Sequence, residues 1–148
     1  MSKVSALYHI VFCTKCREMT LREEVRDDLY RYIWGIIKNQ NCRLLRMGGI
    51  ENHIHMLVGL NPSIALSNFV RDIKSCTSSW MRHDSRFLYF KGWAKGYYAR
   101  TISNTEISTV SSYIMNQRAH HHGISFDDEL KDLYAHAQLE YDARDMME

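Results

Sequence analysis

The chain has 148 residues, 45% apolar and 24% charged, with one proline and seven glycines. That is enough to bury a core in one domain, and it excludes a disordered or low-complexity chain. No apolar run approaches the roughly 20 residues of a membrane span and no signal-peptide pattern opens the chain, so a cytoplasmic protein without membrane association is expected, its four cysteines reduced. The net charge of +2 is uneven: residues 126–148 hold eight acids against two bases, leaving 17 bases against nine acids in residues 1–125. A basic body points to a polyanion partner, with an acidic tail that stays away from it or competes with it.

In chain order, Ala6–Phe12 is a short apolar, partly β-branched run, predicted as a central strand buried on both faces. Thr20 and Glu23 fit a capping box, and Leu21, Val25, Leu29, Ile33, Ile36 and Ile37 continue at helical spacing to about Gln40. Cys42–Met47 is a second strand. Gly48-Gly49 then predicts a tight turn or bulge into residues 51–60, where Ile54, Met56, Val58 and Leu60 alternate with His53 and His55. The period of two sends both imidazoles out of one face, opposite the apolar one. Asn61-Pro62-Ser63 is read as a helix start, followed by a stripe of Leu66, Phe69, Val70, Ile73, Thr77 and Trp80. Arg71, Lys74, Ser75, Ser78 and Arg82 line the other side, a pattern suited to phosphate contacts.

Lys91–Arg100 interleaves glycine, lysine and aromatics and runs into a strand ending near Ser103. Trp93, Lys95, Tyr97 and Arg100 offer the ring faces and cations that unpaired bases and their phosphates need. A core strand anchored by Trp93 is the competing role. Ser103 and Glu106 form another capping box. The helix after it buries Ile107, Val110 and Ile114, carries Tyr113 and Gln117 one turn apart, and runs through His120, His121 and His122 to a stop at Gly123. Phe126, Leu130, Leu133, Tyr134, Ala137 and Tyr141 outline a last amphipathic helix in the acidic tail. Cys13 and Cys16 form a lone C-x-x-C, too little for a zinc knuckle or a redox pair. His9 reads as a satisfied core histidine.

Two imidazoles on a rigid strand form a two-point metal site that lacks a third ligand. Tyr113 with Gln117 supplies a phenol and a carboxamide from another element. At these residues the chain resembles the single-tyrosine HUH transposases of the smallest bacterial insertion sequences. The matching pieces, in order, are Tyr8–Phe12 with Thr14, Lys15 and Arg17; Asn52–Val58; Phe69–Lys74; Trp93 with Gly96-Tyr97-Tyr98; and Tyr113–Gln117.

The resemblance runs from about residue 4 to residue 123 and departs at Cys16 and in the acidic tail. It implies an α+β, ferredoxin-like antiparallel sheet with packed helices, residues 1–125 forming the catalytic domain and 126–148 an acidic helix or tail of the same domain. It implies that His53, His55 and Gln117 hold Mg²⁺ or Mn²⁺ as an all-neutral ligand set, and that Tyr113 attacks single-stranded DNA to give a 5′-phosphotyrosine. It further implies contacts from Arg71, Lys74, Trp93, Lys95, Tyr97 and Arg100 to DNA that forms hairpins, and a homodimer that can share active sites. The alternatives are a non-catalytic, domesticated module that binds single-stranded nucleic acid, and a zinc enzyme using His53, His55 and one of His120–His122.

Overall fold

The computed structural model describes residues 1–148. Four strands, β1 (Leu7–Cys13), β2 (Arg43–Ile50), β3 (His53–Gly59) and β4 (Tyr98–Ile102), form one sheet in the order β2-β3-β1-β4. Every neighbouring pair is antiparallel. With α1 (Glu23–Asn39) between β1 and β2 and α2 (Leu66–Arg82) between β3 and β4, this is the ferredoxin-like arrangement.

The two central strands are buried on both faces, because helices cover both. On one face, Ile10 and Phe12 of β1 and Ile54, Met56 and Val58 of β3 meet Val25, Leu29, Ile33 and Ile37 of α1 and Phe69, Val70 and Ile73 of α2. Each such aliphatic side chain contributes about 1.5–3 kcal/mol by leaving water. On the other face, Leu57 packs with Val110 and Ile114 of α3 (Ile107–Met115). Beside them, Val11 and Cys13 pack with Phe126, Leu130, Leu133 and Tyr134 of α5 (Phe126–His136). His9, His53, His55 and Leu57 all point to this second face, so the face expected to be polar is closed as well.

Several boundaries differ from the sequence reading for local reasons. Helix α1 begins at Glu23, with Arg22 as an N-cap that makes no side-chain cap, so the Thr20–Glu23 box does not form. Leu21 instead donates its backbone N–H to the Glu51 carbonyl, which ties the loop to the β2–β3 turn. Pro62 lies in a turn before α2, which begins at Leu66. The box at Ser103 and Glu106 does form, and Glu106 also accepts from Arg100 at 3.0 Å.

Gly48 and Gly49 are not the turn. They pair in β2 with His55 and Ile54, and the turn is Glu51-Asn52. Glycine is needed because neighbours approach closely: a Cβ on Gly48 would lie 2.5 Å from the Ile114 carbonyl oxygen, and one on Gly49 would lie 2.1 Å from that of His53. Gly48→Ala should therefore push α3 off the sheet and lower stability by about 1–3 kcal/mol. The check is the urea midpoint, with an unchanged m-value showing that only stability moved.

The C-terminal residues are docked on the β1 exit. Arg17 donates to Asp127 Oδ1 at 3.1 Å and to the Asp145 carbonyl at 3.0 Å, and its guanidinium lies over the Phe126 ring. Cys13 is buried with its Sγ 3.0 Å from the Met146 carbonyl, and burial pushes its thiol up to about 11. No helix is long and apolar enough to cross a membrane.

Candidate active site

Strand β3 fixes His53 and His55 side by side, both fully buried. Asn52 donates from Nδ2 to the Arg17 carbonyl at 3.4 Å, which turns its Oδ1 onto His53 Nδ1 at 2.7 Å. Burial pushes the His53 imidazole down to about 4, so near neutral pH it carries one hydrogen. That hydrogen sits on Nδ1, shared with Asn52, and Nε2 is a bare lone pair. His55 is held through Nδ1 by a different partner. Its Nδ1 lies 2.9 Å from His9 Nε2. Burial and then the charges of His55 and Arg100 hold His9 well below its usual range, so it is neutral and pairs one ring nitrogen with His55 Nδ1. His9 is thus a core histidine with a partner that matters, because it can fix the tautomer of His55.

Tyr113 and Gln117 come from the far side of this layer. The helix predicted to run unbroken to His122 breaks at Asn116, giving α3 and a short α4 (Gln117–His120). The two side chains still stack across the break: Gln117 Nε2 donates to the Tyr113 carbonyl at 3.3 Å, leaving Oε1 3.0 Å from His53 Nε2. The carboxamide thus reaches His53, one imidazole of the pair, within one chain.

A fourth group enters that the sequence reading did not anticipate. Glu129 of α5 is fully buried. Its Oε1 lies 2.8 Å from His121 Nε2, 3.1 Å from His53 Nε2 and 3.3 Å from His55 Nε2. Its Oε2 accepts a short hydrogen bond from the Tyr113 hydroxyl and lies 3.6 Å from His120 Nε2, which is buried without a hydrogen-bond partner. Burial would raise this carboxyl, but the His121, His53 and His55 imidazoles that face it outweigh burial and hold it well below the usual carboxylate range. The same contact keeps Tyr113 protonated: burial, then the Glu129 charge, raise the phenol far above its ordinary value.

The groups around the two imidazoles are not all neutral, since the Glu129 carboxylate reaches both. The acidic segment forms one wall of the site through α5. His121 also belongs to the cluster. It donates from Nδ1 to the Ile124 carbonyl at 2.6 Å and faces Glu129 through Nε2. Burial lowers it, but the Glu129 hydrogen bond and charge prevail and raise it.

One signal could have found Glu129. It occupies the buried stripe Phe126, Leu130, Leu133, Tyr134, where an acid has no reason to be unless something holds it.

The chemistry of the cluster fits a divalent cation. Near His53 Nε2, a lone pair, the Gln117 carbonyl oxygen and the Glu129 carboxylate oxygen meet within 3.0–3.1 Å with no hydrogen to share. Acceptors converge in that way around a metal ion. His53, His55 and Glu129 are close enough for one ion, as are His120, His121 and Glu129.

A cleft of about 530 Å³ opens beside the phenol, lined among others by His9, Arg100, Tyr113, His120 and His136. The remaining DNA-contact candidates lie elsewhere. Arg71, Lys74, Lys95 and Tyr97 line a groove of about 460 Å³ between α2 and the loop before β4. Lys74 Nζ is engaged there by the Ala94 and Gly96 carbonyls at 2.9 and 2.6 Å. Trp93 is half-buried; its indole N–H donates to Thr77 Oγ1 at 2.8 Å and its ring packs on Phe12 and Phe90. It is an anchor for that loop rather than an open stacking platform.

Residues 2–117 match the family model described as "Transposase IS200 like". The transposase for insertion sequence element IS200 of Salmonella typhimurium is 29% identical over 115 residues, covering 74% of this chain and 75% of that protein. The ISDra2 transposase TnpA of Deinococcus radiodurans is 26% identical over 115 residues, covering 74% and 82%. Among solved structures, the REP-associated tyrosine transposase bound to a REP hairpin superposes with a TM-score of 0.62 at 15% identity, over 83% of this chain and 75% of that one; this likeness concerns the fold. The family match stops at Gln117, so His121 and Glu129 are supplied from beyond it. With a match over three quarters of its length and the HUH-type fold, the chain belongs to the IS200-like transposase family.

Proposed function

We propose that this chain cleaves and rejoins single-stranded DNA at insertion-sequence ends, with Tyr113 as nucleophile and a divalent ion held by His53, His55 and Gln117. The observation that supports it is the meeting of the Tyr113 phenol with the two imidazoles and the Gln117 carboxamide in one buried cluster, beside a cleft wide enough for a nucleotide. A bound divalent ion offsets the charge on the phosphate oxygens and assists departure of the leaving oxygen.

The chain's own groups carry the rest. Asn52 and His9 hold the imidazoles in the tautomers that present Nε2. Gln117, braced on the Tyr113 carbonyl, presents its amide oxygen. The Tyr113 oxygen attacks phosphorus, an O–P bond forms, the P–O3′ bond breaks, and the 3′-hydroxyl takes up a proton equal to the one lost by the phenol. The phenol proton is directed at Glu129 before the reaction begins. Reversal rejoins the strand without a nucleotide cofactor, because one phosphate ester replaces another.

The partner proposed is single-stranded DNA with hairpins. A relative of the same fold bound to a hairpin supports this, as does the basic body of the chain. Arg100 serves the cleft by the phenol, and Arg71, Lys95 and Tyr97 serve the groove along α2, with Lys74 and Trp93 shaping that groove. The closeness of Tyr113, Gln117 and His53 within one chain supports a site assembled in cis. Homodimer formation is proposed on the family resemblance alone, and sedimentation velocity tests it.

Two experiments test the reading. The protein is incubated with hairpin-bearing single-stranded oligonucleotides and Mn²⁺ and run on a denaturing gel: a protein–DNA adduct supports it, and its absence across such substrates counts against it. For the groove, Arg71→Ala and Lys95→Ala should each weaken binding similarly on all sequences and lower the slope of log affinity against log salt by about 0.7 to 1. Unchanged slopes would move the DNA path elsewhere.

A further inference from the structure

Resting on the metal-dependent reading above, we propose that Glu129 is a further protein ligand of the ion. It turns the neutral histidine–glutamine set into an anionic, four-donor one, in which the two imidazole nitrogens and the small room left for water favour a first-row transition ion such as Mn²⁺ over Mg²⁺. Three independent observations carry this.

The first is spacing. Donor atoms on adjacent corners of an octahedral ion, with bonds of ~2.1 Å, lie ~3.0 Å apart, against ~3.4 Å for a tetrahedral one. Gln117 Oε1 to His53 Nε2 is 3.0 Å, and Glu129 Oε1 is 3.1 Å from His53 Nε2 and 3.3 Å from His55 Nε2. The carboxylate oxygen sits at the octahedral spacing from His53 and nearer the tetrahedral one from His55, so it lies within one ligand shell of both imidazoles.

The second is support. Glu129 Oε1 is held by His121, itself fixed by the Ile124 carbonyl, and Oε2 is held by the Tyr113 hydroxyl. A metal-binding carboxylate needs such outer partners to stay aimed. This arrangement also places the phenol one carboxylate away from the ion, so the ligand positions the nucleophile.

The third is burial. His53, His55 and Glu129 have no exposed surface, and Gln117 has 1%. An uncompensated carboxylate at that depth is costly, whereas one facing a cation is not. A closed site with four protein donors also suits an ion that sheds water easily. Mg²⁺ dehydrates reluctantly and keeps several waters, and imidazole nitrogen favours transition ions.

The competing role is a counter-ion to His121 alone. Isothermal titration of the full chain with Mn²⁺ and with Mg²⁺, without DNA, separates the two for the wild type, Glu129→Gln and His53→Ala. We expect Mn²⁺ to bind the wild type at least about tenfold tighter than Mg²⁺, and Glu129→Gln to lose roughly a hundredfold in Mn²⁺ affinity while keeping its far-ultraviolet circular dichroism.

If Glu129→Gln binds Mn²⁺ within threefold of wild type while His53→Ala does not bind, Glu129 is a counter-ion only and the proposal falls, with the metal reading intact. If His53→Ala binds as wild type does, the metal reading falls and takes the proposal with it. Equal affinity for Mg²⁺ and Mn²⁺ overturns the selectivity. Should Glu129→Gln fail to fold, the infrared difference spectrum of the wild type on adding Mn²⁺ decides. A shift of the carboxylate stretching bands, moved again by ¹³C-labelled glutamate, supports coordination, and an unshifted carboxylate region overturns it.

Discussion

Tyr113→Phe should abolish the covalent protein–DNA adduct, lowering strand cleavage by at least about a thousandfold, while hairpin binding stays within about twofold of wild type. The change removes one oxygen and leaves the ring in place against His9 and His55. Helix α3 keeps its anchors at Val110, Ile114 and the Ser103–Glu106 box, so Gln117 still reaches His53. The same substitution has a second, measurable consequence. Glu129 Oε2 loses its hydroxyl donor in a buried place, and a hydrogen bond to a charged group is worth about 1.5–3 kcal/mol. The variant should therefore be less stable by about that much in urea while inert in cleavage. A variant that still forms the adduct would remove Tyr113 from the mechanism. A domesticated binding module predicts no adduct from the wild type either, so the wild-type lane of the same gel separates the two readings.

His53→Ala should eliminate measurable Mn²⁺ binding and the cleavage that depends on it. His53 is the imidazole that both Gln117 and Glu129 approach, and its ring stacks on Phe126 at 4.1 Å, so it ties α4 and α5 to the sheet. Its loss leaves a buried void and strands the Asn52 and Gln117 oxygens. The expected cost to the metal-free protein is about 2–4 kcal/mol, read from the urea midpoint. In wild type, adding Mn²⁺ should raise the melting temperature and a chelator should reverse it, because an ion that binds only the folded state stabilises it by mass action. In His53→Ala neither addition should move the melting temperature. A metal-induced shift that survived there would relocate the ion, with the His120–His121–Glu129 group as the next place to look.

The parts of this protein that could be read from its residues alone are those whose physics is local. Alternation of Ile54, Met56 and Val58 with His53 and His55 follows from the pleat of a single strand, and the stacking of Tyr113 over Gln117 follows from their helical spacing, which survives the break at Asn116. The order of elements and the capping box at Ser103 are legible for the same reason. Gly48-Gly49 misled because glycine signals a turn as readily as a close approach, and for Gly48 the neighbour that decides it is α3, more than sixty residues away in the chain.

Only the tertiary structure decided that the histidine face of the sheet is covered, that the acidic segment covers it, and that Glu129 joins residues more than seventy positions earlier in the chain. A carboxylate's role depends on what faces it. Among the eight acids of residues 126–148, burial opposite two imidazoles and a phenol sets this one apart, and that burial exists only once α5 has folded onto the sheet.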